Sequence, residues 1–191
     1  MLRLLCIRHA QSTWNALGRW QGQADPPLSE AGRLEANALG EQLRREAAPL
    51  GALLTSDLLR ARETAALLGD ALGLESEPWP ALREADVGLW SGRPSEEIAR
   101  LWPEDYARYR AGDPELRPGG GECRRALRVR AEQAVRALER RFGGKRVAVV
   151  THLGFLRALR PGLVLGNAGT FWLHTGELSD AAMAPCSEEA L

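Results

Sequence analysis

This chain has very little lysine, no long apolar segment and no closely spaced cysteines. Lys145 is the single lysine among 25 basic residues, which balance 25 acidic residues to a formal net charge of zero. A neutral chain gives no global reason to expect nucleic acid or an anionic membrane as a partner, so any positive potential must be local. No run approaches about 18 apolar residues, and the N-terminal MLRLLCIRHA is charged too early for a signal peptide. We therefore expect a cytoplasmic protein.

The cysteines are spaced too widely for a metal pair or a disulfide framework. They are Cys6, Cys123 and Cys186, whereas both kinds of site need paired or closer spacing. Cys6 lies within an apolar run, where a thiol serves as a small buried side chain. Since no other cluster has the spacing of metal ligands, we expect no metal ion and no cofactor.

The composition fits one globular domain with a sizeable core. The chain has 191 residues, of which 45% are hydrophobic and 26% charged, as in ordinary folded proteins. Strands are predicted over 1–7, 51–56, 146–151 and 170–174, and helices after Ser29, over 57–73, around 95–111 and from about 122 to Gly143. Strands that alternate with helices predict a three-layer α/β/α sandwich with a mostly parallel central sheet.

Apolar side chains at steps of three and four predict the buried helix faces. After the expected N-cap Ser29, the stripe comprises Ala31, Leu34, Ala38, Leu39 and Leu43. Over 57–73 the stripe comprises Leu58, Ala61, Ala65, Leu68 and Leu72, and Gly73 is the expected left-handed cap. The long helix after 122 carries Leu127, Ala131, Ala134, Leu138 and Phe142 in register.

Charged and histidine side chains stand where predicted strands end. Arg8 and His9 directly follow the first strand, and His152 directly follows the strand RVAVVT. The strand GALLTS leads into a helix whose fourth residue is Arg60, which we expect to face away from the core near the positive end of the helix. Ligands of parallel sheets bind beyond the carboxyl ends of the strands. Two arginines and two histidines at one such edge predict an anion site, with phosphate as the occupant.

Each of these residues also has a purely structural interpretation. A histidine at a strand end is more often a hydrogen-bonding residue than a catalyst, and Arg60 alone is typical of a solvated helix. Glu84 is one of many acids, and Asn15 suits a cap for the turn after the first strand. Their joint occurrence favours a functional site.

Four segments resemble, in order, the signature segments of the histidine phosphatase superfamily, also called the phosphoglycerate mutase-like family. They are IRHAQSTWN, LLTSDLLRARETA, LREADVGLWSG and VVTHLGFLR, and together they span about residues 4–157. The resemblance implies a single domain over 1–191 with a helical, lid-like insertion at about 85–121. It also implies that His9 becomes phosphorylated and that Glu84 donates the proton. The residues that the resemblance places around the phosphate and the leaving group are Arg8, Asn15, Gln21, Gly22, Arg60, His152 and Leu153.

Two positions depart from the family pattern. Ala10 follows the first histidine where the family usually has glycine, and Leu153 follows the second histidine where the family usually has Gly-Gly. Leu153 can still offer its backbone N–H to an oxyanion, while its side chain would narrow the pocket. Neither change removes a reacting group, so we expect altered specificity and retained activity.

The implied chemistry explains the residue types. A histidine attacks phosphorus only when its attacking nitrogen is unprotonated, so its other nitrogen should donate to a backbone or acidic acceptor. Arg8, Arg60 and His152 would stabilise the phosphoryl oxygens. Glu84 would protonate the leaving group and then activate the hydrolytic water.

Three functional interpretations remain open from the sequence. The first is a metal-independent phosphomonoesterase of the short bacterial type, acting on a small-molecule phosphate monoester. The second is a cofactor-dependent phosphoglycerate mutase, for which Arg93, Arg108 and Arg110 could partly supply the basic block that binds the glycerate carboxylate. The third, a non-enzymatic binding module, is disfavoured by the complete set of reacting residues. The oligomeric state stays open, with a homodimer as one option.

Other notable residues receive structural interpretations. His174 lies in the strand-like FWLHT, and the run ECRRALRVR is expected to form a mostly solvated helix face. The following aromatic residues could form a substrate wall, but helix packing is favoured: Trp14, Trp20, Trp90, Trp102, Tyr106 and Tyr109.

Overall fold

A computed structural model describes residues 1–46 and 49–177. Cys186 and the last part of the predicted domain lie outside the described residues. The strands are β1 (Arg3–Arg8), β2 (Ala52–Thr55), β3 (Ser76–Pro78), β4 (Arg146–Thr151) and β5 (Thr170–His174). The helices are α1 (Thr13–Ala16), α2 (Glu30–Glu46), α3 (Leu59–Leu72), α4 (Ser95–Leu101), α5 (Pro103–Ala111), α6 (Arg124–Phe142) and α7 (Leu153–Leu159).

The described strands form one sheet in the order β3-β2-β4-β1-β5. β1 pairs in parallel with β4, and β4 pairs in parallel with β2. Among the described strands, only the edge strand β5 is antiparallel to its neighbour. It pairs with β1 on the side away from β4. β3 lies where no strand was predicted, because SEP contains none of the β-branched or aromatic residues that signal a strand. The central strands β1, β2 and β4 all end at the same edge.

Both faces of the sheet are covered, which confirms the three-layer prediction. Alternate side chains of β1, such as Leu4 and Cys6, pack in a cluster with α6 and α7. The side chains between them, Leu5 and Ile7, pack in a second cluster with α2 and α3. Burial raises the pKa of the Cys6 thiol to about 12, so Cys6 acts as the small buried side chain that the sequence predicts.

The buried faces of α3 and α6 follow the predicted stripes, whereas that of α2 differs. Leu39 and Leu43 are buried, but Ala31, Leu34 and Ala38 are exposed. The α2 face that packs against α3 instead includes small residues such as Gly40, where a Cβ would come within 2.9 Å of the Ala71 methyl group. Because α2 and α3 approach each other closely, their contact uses small side chains. A prediction based on large apolar residues does not detect such a contact.

The 85–121 segment is helical only in part. The helix predicted around 95–111 is broken into α4 and α5 at Trp102, which has an extended φ of −135°. Pro103 causes the break, because proline excludes the helical conformation from the residue before it and cannot donate an N–H. The predicted aromatic packing is found within this segment, where Trp90 lies 5.7 Å from Tyr109 between ring centroids.

No helix in the described ranges is long and apolar enough to cross a membrane.

Candidate active site

The order of the strands places the two histidines of the motifs side by side. Arg8 at the end of β1 is paired with Thr151 at the end of β4. The next residues are His9 and His152, and the His9 N–H donates to the Thr151 carbonyl at 2.9 Å. Their ring centroids lie 5.1 Å apart, and both side chains are buried.

The hydrogen-bond partners of His9 determine which of its ring nitrogens carries the hydrogen and which one is free to act as a nucleophile. Nδ1 lies 2.7 Å from the Ala10 carbonyl, and since a carbonyl only accepts, Nδ1 carries the hydrogen. Nε2 is therefore unprotonated in the neutral ring, and Arg60 Nε donates to it at 3.3 Å. Burial first, and then the Arg60 and Arg8 charges, lower the pKa of His9 well below its usual range. His9 has the donor and acceptor pattern of a nitrogen nucleophile.

Arg60 is more deeply buried than the sequence led us to expect. Only 1% of its surface is exposed, and its guanidinium is directed to His9 and to the turn at residues 22–24. Its Nη1 donates to the Ala24 carbonyl at 2.7 Å and its Nη2 to the Gly22 carbonyl at 2.8 Å. Burial lowers the pKa of Arg60 to about 10, so it stays charged at neutral pH. Because carbonyls hold the guanidinium, its positive charge remains available to an anion.

Two buried polar atoms next to His9 have no hydrogen-bond partner among the described residues. His152 Nε2 lies 2.8 Å from the Ser56 hydroxyl, while its Nδ1 has no partner. Arg8 donates from Nη1 to the Leu165 carbonyl at 2.7 Å, while its Nε has no partner. An unsatisfied buried polar atom costs roughly 1–3 kcal/mol. Unpartnered polar atoms beside His9 and the buried Arg60 guanidinium favour binding of an oxyanion.

Glu84 lies at the N-terminus of α7. Its Oε2 accepts from the Gly154 N–H at 3.0 Å, and its Oε1 accepts from the N–H groups of Ala85 and Phe155 at 2.9 and 3.2 Å. The carboxyl group lines the cavity that also contains His9 and Arg60. This position suits proton transfer to a group bound at His9.

The turn after β1 orients the Asn15 amide. Asn15 Oδ1 accepts from the Ser12 N–H and hydroxyl, both at 3.1 Å, and from Asn167 Nδ2 at 3.2 Å. Since these donors occupy the oxygen, the Asn15 NH₂ is the side that can donate to a ligand. The Ser12 hydroxyl lies 2.7 Å from Gln21 Oε1. Asn15, Gln21 and Gly22 all line the cavity, and Gly22 also holds Arg60.

The two departures from the family pattern fit the structure. Ala10 is fully buried, and its N–H donates to the Thr64 hydroxyl at 3.1 Å. Leu153 lines the cavity at the first position of α7.

The cavity has a volume of about 850 Å³ and strongly basic walls. The lining arginines are Arg8, Arg19, Arg60, Arg124, Arg125, Arg128 and Arg157, against the acids Glu84 and Glu122. Arg93, Arg108 and Arg110, which could partly have supplied a basic block for a mutase, are absent from this lining. Arg93 instead pairs with Glu97 and Arg108 with Asp113. The run ECRRALRVR, expected to be solvated, supplies part of the basic wall because the 85–121 segment covers the start of α6.

Sequence reasoning missed residues that act through backbone contacts. Arg130 donates to the carbonyls of Ala81, Arg83 and Glu84 at 3.0, 2.8 and 3.2 Å and pairs with Glu122 at 2.7 Å. Asn167 was missed as well, although its side chain donates to the His9 carbonyl at 3.3 Å. Arg130 ends the run ECRRALRVR, which was interpreted as a solvated helix face, and Asn167 lies in no segment with a motif, so no local signal indicated either role.

Within the described part of the chain, no three histidine, cysteine, aspartate or glutamate side chains are grouped to hold a metal ion.

Comparison with known proteins places this geometry in a family. Residues 4–182 match the histidine phosphatase superfamily, branch 1. Phosphoserine phosphatase 1 of Hydrogenobacter thermophilus is 34% identical over 90% of this chain and 81% of its own length. Metal-independent phosphoserine phosphatase of Arabidopsis thaliana is 38% identical over 82% of this chain and 66% of its own length. Phosphoglycerate mutases that depend on 2,3-bisphosphoglycerate are also related, at 34–36% identity.

A solved structure agrees with these relatives. The mycobacterial glucosyl-3-phosphoglycerate phosphatase in complex with VO₃ superimposes with a TM-score of 0.81 at 33% identity, over 90% of each chain. The chain belongs to the histidine phosphatase superfamily.

Proposed function

We propose that this protein is a metal-independent phosphomonoesterase that hydrolyses a small phosphorylated metabolite through a phosphohistidine on His9. One observation carries the proposal: the unprotonated Nε2 of His9 lies beside the buried Arg60 guanidinium and the unpartnered Arg8 Nε and His152 Nδ1. Arg8, His9 and Arg60 line one cavity, whereas His152 does not line it and lies behind His9, with 5.1 Å between the ring centroids. The relatives named as phosphatases support the same reaction class.

In the first step, His9 Nε2 attacks phosphorus and the bond to the ester oxygen breaks. Arg8, Arg60 and His152 stabilise the charge on the phosphoryl oxygens, and each such donor is typically worth roughly 10²–10³ in rate. The carboxyl group of Glu84 gives its proton to the departing oxygen. The products of this step are the free alcohol and phosphohistidine.

In the second step, water attacks phosphohistidine and Glu84 takes the proton of that water. The P–N bond breaks, inorganic phosphate leaves, and both His9 and Glu84 return to their starting states. Water can reach the site because Arg19, Arg124 and Arg157, which line the cavity, are exposed. This access favours hydrolysis over return of the phosphoryl group to a substrate.

Further features complete the proposal. The chain forms one domain, in which the 85–121 segment is a lid that contributes Val87, Tyr109 and Pro118 to the cavity wall. The enzyme is bacterial and cytoplasmic, in keeping with its bacterial relatives. Size-exclusion chromatography would distinguish a monomer from the homodimer considered above.

The test is phosphate release from p-nitrophenyl phosphate in EDTA. We expect turnover in the wild type and a loss of about 10³-fold or more in His9→Ala, together with loss of an acid-labile phosphoryl adduct on His9. His174→Gln, which changes a histidine outside the cavity, is the matched control and should remain active. Unchanged turnover in His9→Ala would contradict the assignment of the nucleophile.

Phosphoglycerate mutase activity is the second candidate, favoured by the related mutases. It requires that phosphohistidine be shielded from water long enough to return the phosphoryl group. Interconversion of 2- and 3-phosphoglycerate with bisphosphoglycerate present can be followed beside phosphate release. Interconversion much faster than release would reverse the order of the two candidates.

A further inference from the structure

His152 is held at one ring nitrogen and has no partner at the other. Its Nε2 lies 2.8 Å from the Ser56 hydroxyl, while its Nδ1 has no hydrogen-bond partner among residues 1–46 and 49–177. The ring is fully buried, and burial, followed by the Arg60 charge, lowers the pKa of His152 well below its usual range. The ring is therefore neutral and carries one hydrogen, whose position depends on the contact with Ser56.

The sheet fixes Ser56 beside the imidazole of His152. Ser56 directly follows β2, and its N–H donates to the Val150 carbonyl of β4 at 2.9 Å. The Thr55 hydroxyl donates to the Ser56 carbonyl at 3.0 Å, and Ser56 is fully buried. Because β2 and β4 are neighbours and His152 directly follows β4, the hydroxyl and the ring meet at the edge where both strands end.

The hydrogen-bond partners of the Ser56 hydroxyl decide which ring nitrogen carries the hydrogen. A hydroxyl has one hydrogen to donate and two lone pairs to accept with. The Leu58 N–H donates to it at 3.3 Å, and within the part of the chain that the structure describes its other partner is His152 Nε2. A hydrogen on Nε2 would leave both the hydroxyl hydrogen and Nδ1 unsatisfied. A hydrogen on Nδ1 lets the hydroxyl donate to Nε2, so that only one buried group lacks a partner.

The two buried histidines consequently present different groups. His9 Nδ1 donates to the Ala10 carbonyl at 2.7 Å, which leaves its Nε2 lone pair beside Arg60. In His152 the corresponding nitrogen accepts from Ser56, so its lone pair is occupied. His9 therefore presents a lone pair and His152 an N–H, with 5.1 Å between the ring centroids.

We propose that Ser56 is a positioning residue that holds His152 in the Nδ1–H form, so that His152 serves only as a hydrogen-bond donor. The kinetic consequence rests on the proposed function, since an N–H donor stabilises charge that develops on phosphoryl oxygens. The position of the hydrogen is a property of the folded protein and can be measured without turnover.

Long-range ¹H–¹⁵N NMR spectra of the full chain distinguish a protonated ring nitrogen from an unprotonated one. With the three histidines assigned through His9→Ala and His174→Gln, wild-type His152 should show a protonated Nδ1 and an unprotonated Nε2. Ser56→Ala removes the hydroxyl hydrogen, so a measurable share of His152 should change to the Nε2–H form. Thr55→Val is the matched control, because it removes a buried hydroxyl whose printed partner is the Ser56 carbonyl. It should keep the Nδ1–H form.

Kinetics with p-nitrophenyl phosphate measure the consequence for the reaction. Loss of one oxyanion donor typically costs roughly 10²–10³-fold, so Ser56→Ala should lower kcat at least about tenfold. The change in KM should be smaller, since the donor acts on charge that develops in the transition state. Thr55→Val should keep a kcat close to that of the wild type.

The outcomes distinguish the role of Ser56 from the proposed function. A hydrogen on Nε2 in the wild type, an unchanged Nδ1–H form in Ser56→Ala, or an equal change in Thr55→Val would overturn the inference. If Ser56→Ala does not fold, Ser56→Thr keeps the hydroxyl and replaces it: the Nδ1–H form in this variant and in the wild type supports the inference, and the Nε2–H form in either overturns it. Absence of phosphate release by the wild type would contradict the proposed function alone.

Discussion

At the scale of single residues, Gly154 leaves the space that the Glu84 carboxyl group occupies. A Cβ at Gly154 would overlap Glu84 Oε1 and would approach Glu84 Cδ to 3.0 Å. Glycine is therefore required because the carboxyl group approaches the backbone of α7 so closely, not because of an unusual φ. The position of the Glu84 carboxyl group therefore depends on the absence of a methyl group at residue 154.

Gly154→Ala should lower activity while the protein stays folded. The new methyl group displaces the Glu84 carboxyl, and loss of general acid–base catalysis typically costs roughly 10²–10⁴-fold, so we expect at least a tenfold fall in kcat. Alanine is favoured over glycine within a helix by about 1 kcal/mol, so helix formation does not suffer. Steady-state kinetics and thermal unfolding measure both effects.

Gly166→Ala is the matched control for this prediction. A Cβ at Gly166 meets no atom within 4 Å, so this variant should match the wild type. Equal kcat in Gly154→Ala and Gly166→Ala would show that Glu84 does not need its observed position.

At the scale of elements, α6 positions the loop that carries Glu84. The Arg130 side chain reaches across from α6 and donates to three carbonyls of residues 81–84, while Glu122 pairs with the same guanidinium. Only arginine has enough donors in a planar fork for this arrangement. Arg130 is thus a positioning residue that acts through Glu84.

Arg130→Lys should loosen this loop. Lysine keeps the charge but cannot satisfy three carbonyls and a carboxylate, so we expect a stability loss of about 1–3 kcal/mol in urea unfolding. The rate of leaving-group departure should fall more for alkyl than for nitrophenyl phosphates, since alkoxides need the Glu84 proton more. Arg140→Lys, on the exposed end of α6, should change neither quantity. An equal fall for both substrates would indicate a purely structural role.

The sequence predicted most elements, and its errors have local physical causes. The stripes of α3 and α6 were correct because large apolar residues face the sheet there. The stripe of α2 was wrong in part because its contact with α3 uses glycine and alanine. The break at Trp102 had a visible signal in Pro103, whereas β3 is short and lacks strand-forming residues.

At the scale of the whole molecule, two neutral histidines are buried in the folded state. Burial, followed by the Arg60 charge, lowers the pKa of both His9 and His152 well below its usual range. In the unfolded chain both take up protons below about pH 6.5. The unfolded state then binds more protons than the folded state, so acid favours unfolding.

The free energy of unfolding should therefore decrease as the pH falls from 7 to 5. Each histidine contributes a slope of up to about 1.4 kcal/mol per pH unit below pH 6.5. Urea unfolding at several pH values measures the slope, and His9→Asn should remove about half of it. A stability that is constant, or that rises, between pH 7 and 5 would contradict the buried neutral state.

The sequence alone predicted the family and a phosphate site at the carboxyl edge of the parallel strands, and the family is confirmed. His9 and His152 directly follow β1 and β4, and Arg60 is the second residue of α3, whereas Glu84 was indicated only by the resemblance of its segment LREADVGLWSG to the family. Their convergence follows from parallel strands that end together.

Tertiary structure decided which other side chains share the pocket. Asn15 and Asn167 are 152 positions apart and yet in contact, and Arg124, which lines the cavity, donates to the Tyr109 carbonyl of the 85–121 segment. Contacts of this kind depend on the packing of distant segments, which no local pattern encodes. The motifs therefore predict the reaction, while the packing around them determines which substrates the cavity can hold.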